Sequence, residues 1–115
     1  MTRMTDGLTW LQKWYSEHCD GKWEHDFGIT METIDNPGWS LTVCVEGTEL
    51  ASAIFEPVKT ERSEMDWVQC RVTERETRPS TLAPSRNYRR FEGFGGATNL
   101  SEIIGIFRTW VEAKR

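Results

Sequence analysis

Apolar positions recur at helical spacing near both ends of the chain and alternate with polar ones in between. Leu8, Trp10, Leu11, Trp14, Tyr15 and His18 form one broad stripe, which predicts a helix over 6–18. Asp6 stands where an N-cap belongs. In "CDG", 19–21, Gly21 can take the positive φ that ends a helix. From Trp23 the period changes to two. Phe27, Ile29, Met31 and Thr33 alternate with Gly28, Thr30, Glu32 and Ile34, as in a strand with one buried face. "DNPGWS" predicts a type II turn, with Pro37 fixing φ and Gly38 at the positive-φ position. A second strand follows from Trp39 to about Glu46, with Leu41, Val43 and Val45 on one face.

A third strand is expected over 52–62, placed at an edge or a bulge because Pro57 cannot donate to a ladder. A fourth covers 66–74, with Val68, Cys70 and Val72 on one face, and a fifth covers 88–94. Between them, 75–87 holds two prolines, two serines and three arginines and reads as a long mobile loop. Gly95 and Gly96 read as a turn into a helix over 100–113. Its stripe is Leu100, Ile103, Ile104, Phe107, Trp110 and Val111, and Asn99 with Glu102 suggests a capping box. Helix, strands, helix is the order of an α+β domain. The expected architecture is a single domain, 1–115, with an antiparallel meander of about five strands and both helices on one face.

Composition narrows the functional classes. At 115 residues the chain is one ordinary domain, long enough to fold without a staple. No apolar run approaches 18 residues, and "MTRMTDGLTW" has no secretory h-region, so the expectation is a cytoplasmic protein off the membrane. Three cysteines without a C-x-x-C pattern read as reduced thiols. The net charge of −4 is uneven. Residues 1–60 carry ten acids against four Lys/Arg, and 61–115 carry eight against ten. An acidic first half repels nucleic acid and favours cationic partners.

Several local chemistries compete for the same residues. "HCDGKWEHDFG", 18–28, brings His18, Cys19 and His25 close in sequence, as a metal or thiol enzyme would need. Structural zinc shows paired ligands at regular spacing, and no second pair exists. Acidic neighbours also disfavour a Cys19 thiolate. Glu24 and Asp26, two apart at an expected strand start, would share a face, but a chain this small has little room for a glycosidase cleft. "FEGFGG" before a helix lacks P-loop spacing and a following lysine. Arg86, Arg89 and Arg90 around Tyr88 are a candidate nucleic-acid patch, diluted by Glu74, Glu76 and Glu92. Six tryptophans are many for this length. Trp14 and Trp110 fall on helical stripes, whereas Trp23, Trp39 and Trp67 sit beside charges and turns, as hot-spot residues do.

The segment "LTWLQKWYSEHCDGKWEHDFGITMETIDNPGWSLTV", 8–43, resembles the immunity protein 53 family of bacterial polymorphic toxin systems. The likeness rests on Trp-Leu-Gln-x-Trp-Tyr, Cys-Asp-Gly-x-Trp-Glu-His and Asp-Asn-Pro-Gly-Trp. It continues through "DWVQCRV", "FEGFGG" and "NLSEIIGIFRTWV", while 75–87 looks longer than the family's hairpin link. The resemblance implies a non-enzymatic inhibitor, without metal or cofactor, that binds and occludes a cognate toxin domain. With the acids and exposed tryptophans, it makes Asp20, Trp23, Glu24, His25, Asp26, Asp35, Asn36, Trp39 and Trp67 the candidate toxin-binding residues. The expected state is a monomer or weak dimer, without nucleic-acid or membrane partners.

Overall fold

The computed structural model describes residues 6–77 and 86–115. Helix α1 (Gly7–His18) and a one-turn helix α2 (Trp23–Asp26) precede strands β1 (Ile29–Ile34) and β2 (Gly38–Cys44). Strands β3 (Val58–Glu61), β4 (Trp67–Thr77) and β5 (Arg86–Gly96) lead into helix α3 (Leu100–Ala113). This is the expected α+β fold: five antiparallel strands with a helix at each end.

The strands are not in meander order. The sheet runs β1-β2-β5-β4-β3, so β5 enters between β2 and β4, and β3 takes the far edge. The cause lies in residues 45–57, which do not turn back beside β2. Arg89 donates from Nη1 to the carbonyls of Leu50 and Ala51, at 2.8 and 2.7 Å, and from Nη2 to Ala53 at 2.8 Å. The Trp110 indole donates to the Ile54 carbonyl at 2.9 Å. These bonds hold the segment in an irregular path until β3 begins at Val58, so the third strand is much shorter than the expected 52–62.

The centre of the sheet accepts α3 at close range. The registers Leu41↔Gly93↔Cys70 and Val43↔Phe91↔Val72 set one face of β2, β5 and β4 under the helix. A Cβ on Gly93 would stand 2.4 Å from Ile103 Cγ2, and one on Gly95 would stand 3.0 Å from Ile103 Cδ1. Gly95 and Gly96 are therefore strand residues and not the expected turn; they pair with Trp39 and Gly38. Leu41, Val43, Val68, Phe91, Ile103 and Phe107 are fully buried in this layer.

Helix α1 packs on α3 and not centrally on the sheet, and Trp14 is its anchor. The Trp14 ring meets Phe107 edge-on at 5.0 Å and Trp23 at 6.0 Å. Trp10, Leu11 and Trp14 are buried, while Leu8 and Tyr15 at the margins of the stripe stay exposed. Asp6 caps the helix as expected, accepting from the Thr9 N–H at 2.8 Å, and Gly21 has φ of 90°.

Three local expectations change. Trp23–Asp26 is helical, so Glu24 and Asp26 do not share a strand face. The Asn36–Pro37 peptide is cis and Gly38 is not at positive φ, so the turn is not type II; a Cβ on Gly38 would stand 2.2 Å from the Gly95 carbonyl oxygen. Asn99 makes no side-chain cap on α3. Its amide is drawn to the β3–β4 turn, where Nδ2 donates to Asp66 at 2.9 Å as well as to Glu102. Of the expected loop 75–87, strands β4 and β5 take both ends, and 78–85 lie outside the described residues.

The glycine track yields a direct test. Gly93→Ala forces a methyl into Ile103 and should destabilise the fold by about 1–3 kcal/mol, read as a lower urea midpoint with an unchanged slope.

Candidate interaction surface

The nine candidate residues fall into two groups at opposite ends of β1. Asp20 to Asp26 precede the strand, and Asp35 and Asn36 follow it. Six strand residues separate them, about 20 Å at the usual rise per residue.

In the first group Asp20, Trp23 and Glu24 already have partners within the fold. The Asp20 carboxylate accepts from the N–H groups of Lys22 and Trp23, both at 2.9 Å. Glu24 accepts from the N–H groups of Asp20 and Gly21, at 2.9 and 2.7 Å. The two acids thus close the α1–α2 turn by satisfying its backbone donors. The Trp23 and Lys22 N–H bonds hold the Asp20 carboxyl below its ordinary pKa. Glu24 is lowered chiefly by its own backbone N–H and those of Asp20 and Gly21, against the opposing effect of desolvation. Trp23 is only 6% exposed and its indole donates to the Glu46 carbonyl at 2.8 Å, so it is a core residue, not a partly exposed anchor. His25 is exposed and Asp26 half-buried.

His18, Cys19 and His25 do not converge. His18 Nδ1 lies 2.8 Å from the Trp14 carbonyl and Nε2 lies 2.7 Å from Glu49, tying α1 to the 48–50 turn. Burial pushes the Glu49 carboxyl up, but its own backbone N–H, His18 and Arg115 outweigh this and lower it. The Cys19 thiol donates to the Tyr15 carbonyl at 3.2 Å. Cys70 is buried, and desolvation raises its thiol to about 12. Among the described residues, no three His, Cys, Asp or Glu side chains gather as metal ligands. Arg89, read in the sequence as part of a basic patch, spends its guanidinium on the three carbonyls of the 50–53 segment.

The second group does come together. Trp39, Gly95 and Val68 lie in one row across three strands, which puts the Trp39 and Trp67 backbones about 10 Å apart. Trp39 is on the helix-covered face, its indole donating to the Ala97 carbonyl at 3.0 Å. Trp67, one residue before Val68, is on the opposite face, where no helix lies among the described residues. Both rings are half-buried, and Asp35, Asn36 and Pro37 beside them are exposed. The β3–β4 turn adds exposed Glu64 and Met65, the latter 53% exposed.

A polar clamp fixes this turn. Arg62 binds Asp66 through Nε and Nη2, at 3.0 and 2.9 Å, and pairs with Glu102 of α3. The Asp66 carboxyl is lowered by Arg62 and then by Asn99. The Trp67 N–H donates to Asn99 Oδ1 at 3.3 Å. Sequence reading missed Met65 and this clamp, because its members lie up to 40 residues apart. Next to Trp67, the open face carries Phe94 with the Arg71 guanidinium 5.4 Å from its ring centre, and Arg71 pairs with the buried Glu92 at 3.1 Å.

Residues 8–112 match the family model described as Immunity protein 53, so the chain belongs to that family. No curated protein and no solved structure matches.

Two predictions follow from the local geometry. Asp20 and Glu24 are lowered in the fold, so their contribution is present above the ordinary carboxylate pKa, about 4, and fades as pH falls through the lowered values. The stability gap between wild type and Glu24→Gln, from urea melts, should therefore be open at pH 7 and close in acid. Arg89→Ala strands three carbonyls and should cost about 2–3 kcal/mol, with faster amide exchange in 50–54.

Proposed function

We propose that this immunity protein 53 family member neutralises a cognate toxin domain in the bacterial cytoplasm by covering its active site. Membership of an immunity family carries the toxin-neutralising reading. The surface that fits it best is the sheet end built by Asp35, Asn36, Trp39, Met65 and Trp67. Half-buried tryptophans are the commonest hot-spot anchors, and the exposed Asp35 and Asn36 would form a polar rim. Their backbone is held by the Arg62 clamp and the β1–β2 ladder, so little ordering is required on binding. Asp20 and Glu24 of the first group are committed to their own turn, which argues against that end as the main contact. An acidic partner with aromatic anchors suits a cationic toxin cleft, and charge complementarity accelerates such encounters. No catalytic residue, metal or cofactor enters this reading.

Co-expression with the toxin domain and a growth readout test it. Wild type should restore growth and co-purify with the toxin. Trp67→Ala should weaken binding about 10- to 100-fold. Asp35→Lys should slow association and flatten its salt dependence. Unchanged kinetics in both variants, with loss of binding in His25→Ala instead, would move the interface to the other end of β1.

A further inference from the structure

The edge strand β3 carries a second contact surface whose chemistry complements itself. Just past β3 the Arg62 N–H donates to the Asp66 carbonyl at 2.9 Å, so Arg62 and Asp66 stand at a bonded pair position, with the Arg62 backbone aimed at β4. Antiparallel pairing alternates such pairs with non-bonded ones. With the register Thr60↔Val68 and Val58↔Cys70, Thr60 and Val58 also aim their backbone groups at β4. The groups of Lys59 and Glu61 therefore point away from the sheet, along its free edge. Pro57 before them has no N–H to offer.

A strand can add to this edge only by bonding Lys59 and Glu61. Their side chains share the uncovered face, are 68% and 71% exposed, and lie 3.8 Å apart. When a second β3 is laid antiparallel with Thr60 opposite Thr60, Lys59 of each copy meets Glu61 of the other. That register puts opposite charges face to face at the two positions whose backbones point outward. Each Lys59–Glu61 pair exchanges both backbone hydrogen bonds, and opposite charges directly across a ladder are favourable.

An apolar groove borders the same edge. It has a volume of about 610 Å³ and is lined by Ile54, Phe55, Val58, Ile106 and Trp110. Ile54 is 75% exposed. Gly105 of α3 also borders it, with no atom within 4 Å of where a Cβ would stand. Pairing about a two-fold axis perpendicular to the sheet brings both grooves to the same side, beside the axis.

We infer that two copies of this chain pair through β3 into a symmetric dimer with one continuous sheet, in the register Lys59↔Glu61. Glu61 stands directly across the β3–β4 ladder from Trp67, so this edge adjoins the proposed toxin-binding end. The test uses toxin-free protein and reads self-association alone, so its failure is distinguishable from failure of that reading. Sedimentation equilibrium should show a concentration-dependent dimer. Lys59→Glu alone and Glu61→Lys alone should each weaken it about tenfold or more, as like charges replace two attractive pairs. The double variant K59E/E61K restores opposite charges and should recover wild-type association; a heterologous strand would not reward that swap. Amide exchange supplies a second readout without substitution. The Lys59 and Glu61 N–H groups should gain protection with concentration, while Thr60, already bonded to β4, should not. A monomer at all concentrations, a dimer indifferent to the charge reversals, or protection of Lys59 and Glu61 only on adding toxin would each overturn the inference.

Discussion

The packing of Ile103 over Gly93 and Gly95 is the contact on which the rest of the structure depends. Two missing side chains on the central strand let α3 approach the sheet more closely than any larger residue would permit. That distance sets where everything attached to α3 can go. At its start, Asn99 and Glu102 reach the β3–β4 turn. In its middle, Phe107 offers an edge to Trp14 and so seats α1. Toward its end, Trp110 reaches the Ile54 carbonyl and fixes the segment before β3. Glycine weakens a strand in isolation, but β5 lies between β2 and β4 and is paired on both sides.

Polar groups do a different job. Arg62, Arg89, Glu49 and the Asp20–Glu24 pair each bind backbone or several partners at once, and each fixes an irregular connection that propensity alone would leave undetermined. Their individual ion pairs are exposed enough to contribute modestly. Their effect is on shape: they hold the turn that carries Met65 and Trp67, the 50–54 segment beside the groove, and the junction of α1 with α2. Four tryptophans (Trp10, Trp14, Trp23, Trp110) are buried in the core. Trp39 and Trp67 remain half-buried at one sheet end, on opposite faces of the sheet.

The proposed dimer edge and the proposed toxin-binding end adjoin, because Glu61 and Trp67 face each other across the β3–β4 ladder. A continuous sheet formed through β3 would leave the β1–β2 turn of each copy at the outer ends and would join the two uncovered faces.

Periodicity alone determined the two main helices, the α+β class and the approximate positions of β1, β2, β4 and β5, because burial of one face imposes a repeat that survives in one dimension. The Asp6 cap and the Gly21 stop were also legible, being local. The tertiary structure decided what depends on partners distant in sequence. Arg89 reads as a surface cation until its three carbonyl acceptors, 36 to 39 residues away, are seen. Asn99 fits a capping box until Asp66 draws its amide to the hairpin turn. Gly95 and Gly96 look like a turn because the same lack of a side chain serves close approach as well as positive φ, and only the position of α3 separates the two. Strand order, and with it the gathering of Asp35, Asn36, Trp39 and Trp67 at one end, is a property of the sheet, since neighbours in space are not encoded by spacing along the chain.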